Sequence, residues 1–246
     1  MNRTLVISDI HGCFESFNQL LHTAGYDAQK DQLILLGDFV DRGPNSRQVV
    51  EQVIGMVHAG QAVALRGNHD QRFLEIMDGT ASERAAQKFF EHGGHQTLIS
   101  YCSDTGLWNR DYDVTRLGPA RSFIQQAYGH HLHFLRQLPY YYEDEHHIYA
   151  HAGINPEYAD WKEQPLFDFL WIRDPFYSRP TNVEKTVVFG HTRAVQFHDS
   201  AHIWYGGDKI GIDGGCAYGM QLNCLEIRGE RSYAAYHVDA IENKAK

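Results

Sequence analysis

Five times along the chain a short apolar run, β-branched or leucine-rich for the most part, gives way at once to a polar cluster containing glycine: TLVISDIHG, QLILLGDFVDRG, AVALRGNHD, HHIYAHAG and KTVVFGHT. Continuous apolar runs of this length are predicted as strands buried on both faces, each ending in a polar tip. After the first, Phe14, Phe17, Leu20 and Leu21 recur at helical spacing, and after the second Val49, Val50, Val53, Ile54 and Val57 do the same. Strand, loop, helix, strand is the pattern of βαβ crossovers, so the first 70 residues read as α/β. In such folds the ligand sits beyond the carboxyl ends of the strands, which is where all five tips fall.

The tips carry Asp9 and His11, then Asp38, Asp41 and Arg42, then Arg66, Asn68, His69 and Asp70, then His151, and last His191. An unpaired carboxylate is costly to bury, and a bound cation supplies the missing partner. Oxygen and imidazole donors without thiolate suit borderline and harder divalent ions such as manganese, iron or zinc. Any one tip alone reads as a hydrogen-bonded turn. Five in the same position relative to their strands point to a shared ion site.

The gross numbers exclude other classes. With 246 residues, 43% hydrophobic and 13% aromatic, the chain can bury a full core as one large domain. Its formal net charge of -9 repels polyanions, so no nucleic-acid or anionic membrane surface is expected, and an anionic ligand must meet a locally positive site. Cys13, Cys102, Cys216 and Cys224 are scattered without a CxxC pair, and none has an arginine six residues later, the spacing of cysteine-dependent phosphatases. There is no GxxxxGK[ST] loop and no HExxH helix. No apolar stretch approaches the roughly 20 residues that span a bilayer, and MNRTLVISDI lacks the apolar region of a signal peptide, so a soluble, cytoplasmic protein is expected.

Residues 71–137 turn helical and irregular, with RFLEIM, ERAAQKFF and RSFIQQAYGHHLHFL as helices. This segment is expected to be a helical insertion or cap within a single domain of residues 1–246. HIWYGGDKIGID and GMQLNCLEIRGERSYAAYHV alternate and turn like an antiparallel meander, and a second sheet facing the first makes an α/β/β/α sandwich. Tyr140, Tyr141 and Tyr142 are expected to pack along a strand, and His130, His131, His133, His146 and His147 to lie at the surface or at helix ends.

As an ordered set, SDIHG, GDFVDRG, RGNHD, HAGI and FGHT resemble the signature blocks of the metal-dependent phosphoprotein phosphatases, the serine/threonine phosphatases of the calcineurin-like metallophosphoesterase superfamily. HGGHQTLISY, LWIRDP and IGIDGGCAYG resemble its bacterial and bacteriophage branch. Two positions depart from the pattern: Ser8 stands where glycine is usual, and Asp70 where the eukaryotic enzymes carry glutamate. The resemblance implies a dinuclear site at the strand ends, with Asp9, His11 and Asp38 on one divalent ion and Asp38, Asn68, His151 and His191 on the other, manganese first and iron or zinc as alternatives. Such a pair activates a shared water as the nucleophile. His69 is then the general acid, Asp41 its orienting carboxylate, and Arg42, Arg66 and Arg173 the groups that hold the phosphate. The implied activity is hydrolysis of phosphomonoesters, phosphoserine or phosphothreonine in proteins and also phosphotyrosine, with a phosphorylated protein or a small phosphoester as partner. The alternative is the symmetrical dinucleoside tetraphosphate hydrolases, which share the metal site but commonly lack the aspartate matching Asp41. A non-catalytic scaffold is the third reading, and it predicts eroded ligands, which these are not. The oligomeric state has no signature in the sequence.

Overall fold

The computed structural model describes residues 3–108 and 117–241. Residues 109–116 of the segment expected to form a helical insertion lie outside the described residues. Three predicted strands, β1 (Thr4–Ile7), β2 (Gln32–Leu35) and β3 (Ala62–Ala64), pair in parallel, and the crossovers are α1 (Phe14–Thr23) and α2 (Ser46–His58). The other two tip-bearing strands, β5 (His147–Ala150) and β6 (Thr186–Phe189), pair in parallel in a second sheet. That sheet also contains β4 (Tyr141–Glu143), β7 (Trp204–Tyr205) and β8 (Lys209–Gly211), in the order β4-β5-β6-β8-β7. The tips are therefore divided three and two between sheets that meet.

The C-terminal hairpin refines the expectation. β9 (Gln221–Arg228) and β10 (Ser232–Asp239) are antiparallel as predicted, but they extend the first sheet, giving the order β10-β9-β1-β2-β3. β9 pairs with β1, with Val6 opposite Leu225. Burial of β1 on both faces fits this, because as an edge strand it would leave polar backbone N–H and C=O groups unpaired among buried side chains.

Alternation along the strands builds the layers. Val6, Ile34 and Leu36 of the first sheet meet Tyr149, Val188 and Ile210 of the second in one buried cluster. Leu5, Ile7, Leu33 and Leu35 point the other way, onto Phe17 and Leu20 of α1 and Val49 and Val53 of α2. Val187 and Phe189 face Trp161 and Phe169, the latter on α8 (Leu166–Trp171). The result is an α/β/β/α sandwich. Each fully buried Leu, Val or Phe contributes roughly 1.5–3 kcal/mol of transfer free energy to it.

Between β3 and β4 run α3 (Asn68–Asp78), α4 (Glu83–Glu91), α5 (Gly94–Cys102), α6 (Leu117–Ala127) and α7 (Gly129–Gln137). RFLEIM and ERAAQKFF fall in α3 and α4, whereas RSFIQQAYGHHLHFL, read as one helix, is divided between α6 and α7 at Tyr128. Phe73, Phe89, Tyr101 and Leu132 of this segment join the cluster that covers β1 and β2, so it shares their core. Two of the histidines expected at the surface or at helix ends are buried: His147 on β5, with Nε2 3.0 Å from the Tyr233 hydroxyl, and His131, which does lie in the first turn of α7. Their polar atoms found internal partners, which spacing along the chain does not show. No helix among the described residues is long and apolar enough to cross a membrane.

Candidate metal centre and phosphoester site

Six non-glycine residues among those described have positive φ: Asp9 at 54°, His11 at 47°, Asp38 at 56°, Asp41 at 73°, Arg42 at 71° and His191 at 64°. All six are residues that the sequence marks as functional. Such conformations cost of order 1–3 kcal/mol each and persist only where the surroundings impose them.

The surroundings are hydrogen bonds between the tips. Beyond β1 and β2 the two loops keep pairing, His11 N donating to the Asp38 carbonyl at 2.8 Å and Gly12 N to that of Phe39 at 2.9 Å. The Asp70 carboxylate, at the start of α3, accepts the backbone N–H groups of Gly67, Asp38 and Phe39 at 2.9, 2.9 and 3.0 Å. His69 N donates to Asp38 Oδ1 at 2.8 Å. A Cβ on Gly67 would lie 2.2 Å from Asp38 Oδ1, so only glycine lets the third tip approach the second. His191 N donates to Asp9 Oδ2 at 2.9 Å, tying the second sheet to the first.

These bonds aim the donor atoms inward. His11 Nδ1 donates to the Val40 carbonyl at 2.8 Å and His151 Nδ1 to that of Leu36 at 2.9 Å, which turns both Nε2 atoms toward the carboxylates. His11 Nε2 is 3.4 Å from Asp38 Oδ2 and 3.8 Å from Asp9 Oδ1. His151 Nε2 is 3.5 Å from the other oxygen of Asp38, Oδ1. Asn68 Oδ1 lies 2.9 Å from His151 Nε2 and 2.9 Å from His191 Nδ1. Asp38 thus presents one oxygen to each of two donor groups.

Electrostatically this is a knot of buried acceptors. Burial raises the carboxyl of Asp9, and it pushes Asp38 up to about 7 against the pull of Arg42. Burial, with the charge of Arg42, holds His11 well below its ordinary range, so its imidazole is neutral and its Nε2 lone pair faces carboxylate oxygens. Lone pairs facing lone pairs call for positive charge. The Arg42 guanidinium supplies part of it, with Nη1 against His11 Nε2 and Nη2 2.8 Å from His69 Nε2. A donor set of imidazole nitrogens, carboxylates and one amide oxygen, with tautomers already set by backbone carbonyls, fits divalent d-block ions.

Beside it stands a second unit. His69 Nδ1 is 2.6 Å from Asp41 Oδ2. Because Arg42 can only donate, His69 Nε2 is an acceptor, and the imidazole proton sits on Nδ1, toward Asp41. Thr97 of α5 holds the other end of Asp41: its hydroxyl accepts Asp41 N–H at 2.8 Å and donates to Asp41 Oδ1 at 2.7 Å. Burial pushes Asp41 up to about 8 against that bond, and burial with Arg42 holds His69 well below its usual range.

The donors open into a cleft of about 290 Å³ whose wall includes Arg42, Arg173, Arg193, Trp171, Tyr218 and Asp213. Tyr218 lies between two cations, its ring centre 5.0 Å from the Arg42 guanidinium carbon and 4.2 Å from that of Arg193. The structure brings Arg42 and Arg173 to the cleft as expected. Arg66, which the sequence groups with them, is turned away: its guanidinium donates to Gln71 Oε1 and the Tyr140 hydroxyl, each at 2.9 Å, and to the Arg136 carbonyl. Tyr140 and the chain leaving α7 offer acceptors that Arg66 cannot leave unmade. In its place stands Arg193, two residues past His191, which the sequence reading missed along with Thr97 and Asp213. Thr97 and Asp213 lie within blocks noted for their resemblance, HGGHQTLISY and IGIDGGCAYG, but nothing in their spacing assigned them a role.

Comparison with known proteins agrees with this geometry. Residues 2–226 match the calcineurin-like phosphoesterase family. The chain is 44% identical over 273 residues to a symmetrical bis(5'-nucleosyl)-tetraphosphatase of Nitrosococcus oceani, covering 91% of this chain and 92% of the relative. It is 29% identical over 231 residues to serine/threonine-protein phosphatase 1 of Salmonella typhimurium, covering 91% of each. A solved protein serine/threonine phosphatase from Saccharomyces cerevisiae superposes with a TM-score of 0.60 at 15% identity, over 99% of this chain and 82% of that one. Strand-end donors divided between two facing sheets, together with a match over most of its length, place this chain in the calcineurin-like phosphoesterase family.

Proposed function

We propose that the protein hydrolyses phosphomonoesters, with phosphoserine or phosphothreonine in proteins as the main substrates and phosphotyrosine within reach of the same chemistry. The observation that carries this reading is the Thr97–Asp41–His69 relay beside the metal donors, because a monoester with an alkoxide leaving group needs an acid there. Asp9, His11 and Asp38 would hold one divalent ion and Asp38, Asn68, His151 and His191 the other, with manganese proposed ahead of iron or zinc. When bound, the ions supply Lewis-acid polarisation of the phosphoryl group and an activated water. Arg42, Arg173 and Arg193 orient the phosphoryl oxygens and stabilise the charge that builds on them. Once Arg42 is drawn to the phosphate and its charge no longer lies against Nε2, His69 takes up a proton there and, as water adds in line and the bond from phosphorus to the ester oxygen breaks, passes it to that oxygen. Asp41 meanwhile holds Nδ1–H. Delivery at Nε2 requires the contact with Arg42 Nη2 to open, which an incoming phosphate competing for Arg42 brings about. We place this activity in the cytoplasm.

A second reading is favoured by one feature next to the cleft. Trp171 is shared with a groove of about 280 Å³ lined by Arg72, Arg84, Lys88 and Phe167. Phe167 is 65% exposed and stacks on Trp171 with ring centres 6.0 Å apart, and Arg72 lies over the Trp171 ring at 4.9 Å. Exposed aromatics among cations suit a nucleotide, as a dinucleoside tetraphosphate would present. Turnover of a phosphoserine peptide and of diadenosine tetraphosphate by the manganese-loaded protein separates the two. Phosphopeptide hydrolysis with the higher kcat/KM supports the first reading, and a preference for the dinucleotide by orders of magnitude replaces it with the second.

A further inference from the structure

Outside the cleft, Glu51 of α2 and the adjacent His130 and His131 of α7 bring three donor atoms together within 4.8 Å of one another. Glu51 Oε2 is 2.7 Å from His131 Nε2 and 3.9 Å from His130 Nε2, and the two imidazole rings meet edge to face with centres 4.4 Å apart. We propose that these three residues form a second metal site, specific for zinc-class divalent ions, that clamps α2 to α7.

The donor chemistry selects the ion. Two imidazoles and one carboxylate suit zinc, nickel or copper and leave a fourth tetrahedral position for water, whereas magnesium and calcium prefer all-oxygen sets. His131 is built as a ligand: its ring is buried, and Nδ1 lies 3.0 Å from the Tyr101 hydroxyl. That hydroxyl donates to Nδ1 in one tautomer and accepts from it in the other. The imidazole can therefore move its proton to Nδ1 and free the Nε2 lone pair with no net change in charge. The side facing water is open, since the side chains of Glu51 and His130 are 64% and 60% exposed. A hydrogen bond between His131 and Glu51 needs no third donor, and His130 is what distinguishes an ion site from that simpler pairing. Arg47, a cation on the same helix as Glu51, is engaged with the Tyr128 hydroxyl at 3.1 Å.

The site stands apart from the cleft and is tested apart from it. Equilibrium dialysis against zinc is run on wild type, His130→Ala, Glu51→Gln, Asp38→Asn and the Asp38→Asn/His130→Ala double variant. The expected result is a loss of about one equivalent of zinc in His130→Ala and in Glu51→Gln, and retention of one equivalent in Asp38→Asn. Zinc should raise the Tm of Asp38→Asn by on the order of 3 °C but not that of the double variant. Manganese-supported hydrolysis of p-nitrophenyl phosphate by His130→Ala should match wild type and report that the variant folds. Equal zinc stoichiometry in wild type and His130→Ala overturns the proposal. Retention of a single equivalent in every chain with intact Glu51 and His130, wild type included, instead removes the dinuclear reading of the cleft and leaves this site standing.

Discussion

The carboxylate of Asp70 holds the backbone of Asp38, Oδ2 accepting the Asp38 N–H at 2.9 Å while Oδ1 accepts that of Phe39 at 3.0 Å. One acidic side chain at the start of a helix thereby imposes the positive φ that turns the central carboxylate of the site inward. Burial pushes Asp70 itself up to about 7 against these bonds. The departure from glutamate at this position leaves a shorter arm that still spans three N–H groups.

Replacing Asp70 by Asn puts an N–H donor where a backbone N–H needs an acceptor. We expect metal affinity to fall by about 10–100-fold, and stability by about 1–3 kcal/mol for the unsatisfied donor. Manganese titration and urea unfolding measure the two, and a variant equal to wild type in both would refute the role of Asp70 as the clamp on Asp38.

His69→Asn should lower kcat by about 10²–10⁴ while metal stoichiometry is retained. The loss should be larger for alkyl phosphates than for p-nitrophenyl phosphate, whose leaving group needs less protonation. Loss of metal in this variant would reassign His69 from acid to ligand.

Thr97→Val keeps the shape of the side chain but removes both hydrogen bonds to Asp41. Without them Asp41 is free to rotate away from His69, and kcat should drop by about tenfold with KM little changed. The alkaline limb of the pH–kcat profile, where a general acid is lost by deprotonation, should move as well, and Thr97→Ser should restore both. A Thr97→Ser variant as impaired as Thr97→Val would show that packing, not the hydroxyl, is what matters.

Far from the cleft, Asp144 accepts from the backbones of His146 and His147 at 2.9 and 2.7 Å and from the Tyr149 hydroxyl at 2.8 Å. Burial alone would raise this carboxyl, but bonds from His147, Tyr149 and the two backbone groups outweigh it and hold it well below its ordinary range. A depressed folded pKa contributes stability that is present above the unfolded value of about 3.9 and is lost as pH falls toward the folded one. Asp144→Asn should therefore be less stable than wild type at pH 7, with the gap closing below about pH 4. Thermal unfolding across pH 3–8 checks this, and a gap independent of pH counts against the carboxylate as its cause.

The strands and the acids and histidines at their tips were legible in the sequence because each depends on local order: an apolar run, a glycine, then an acid or a histidine. The sandwich was legible for the same reason. Which sheet each strand joins, and where each polar side chain turns, depends on partners distant in the chain. Tertiary packing alone placed the C-terminal hairpin beside β1, turned Arg66 to Tyr140 and away from the cleft, and brought Arg193 in its place. It also set Thr97 against Asp41 across 56 positions and buried His131 beneath Glu51 across 80. A buried polar atom must find a partner wherever the fold supplies one, and a linear sequence shows what the atom is without showing who will be near it.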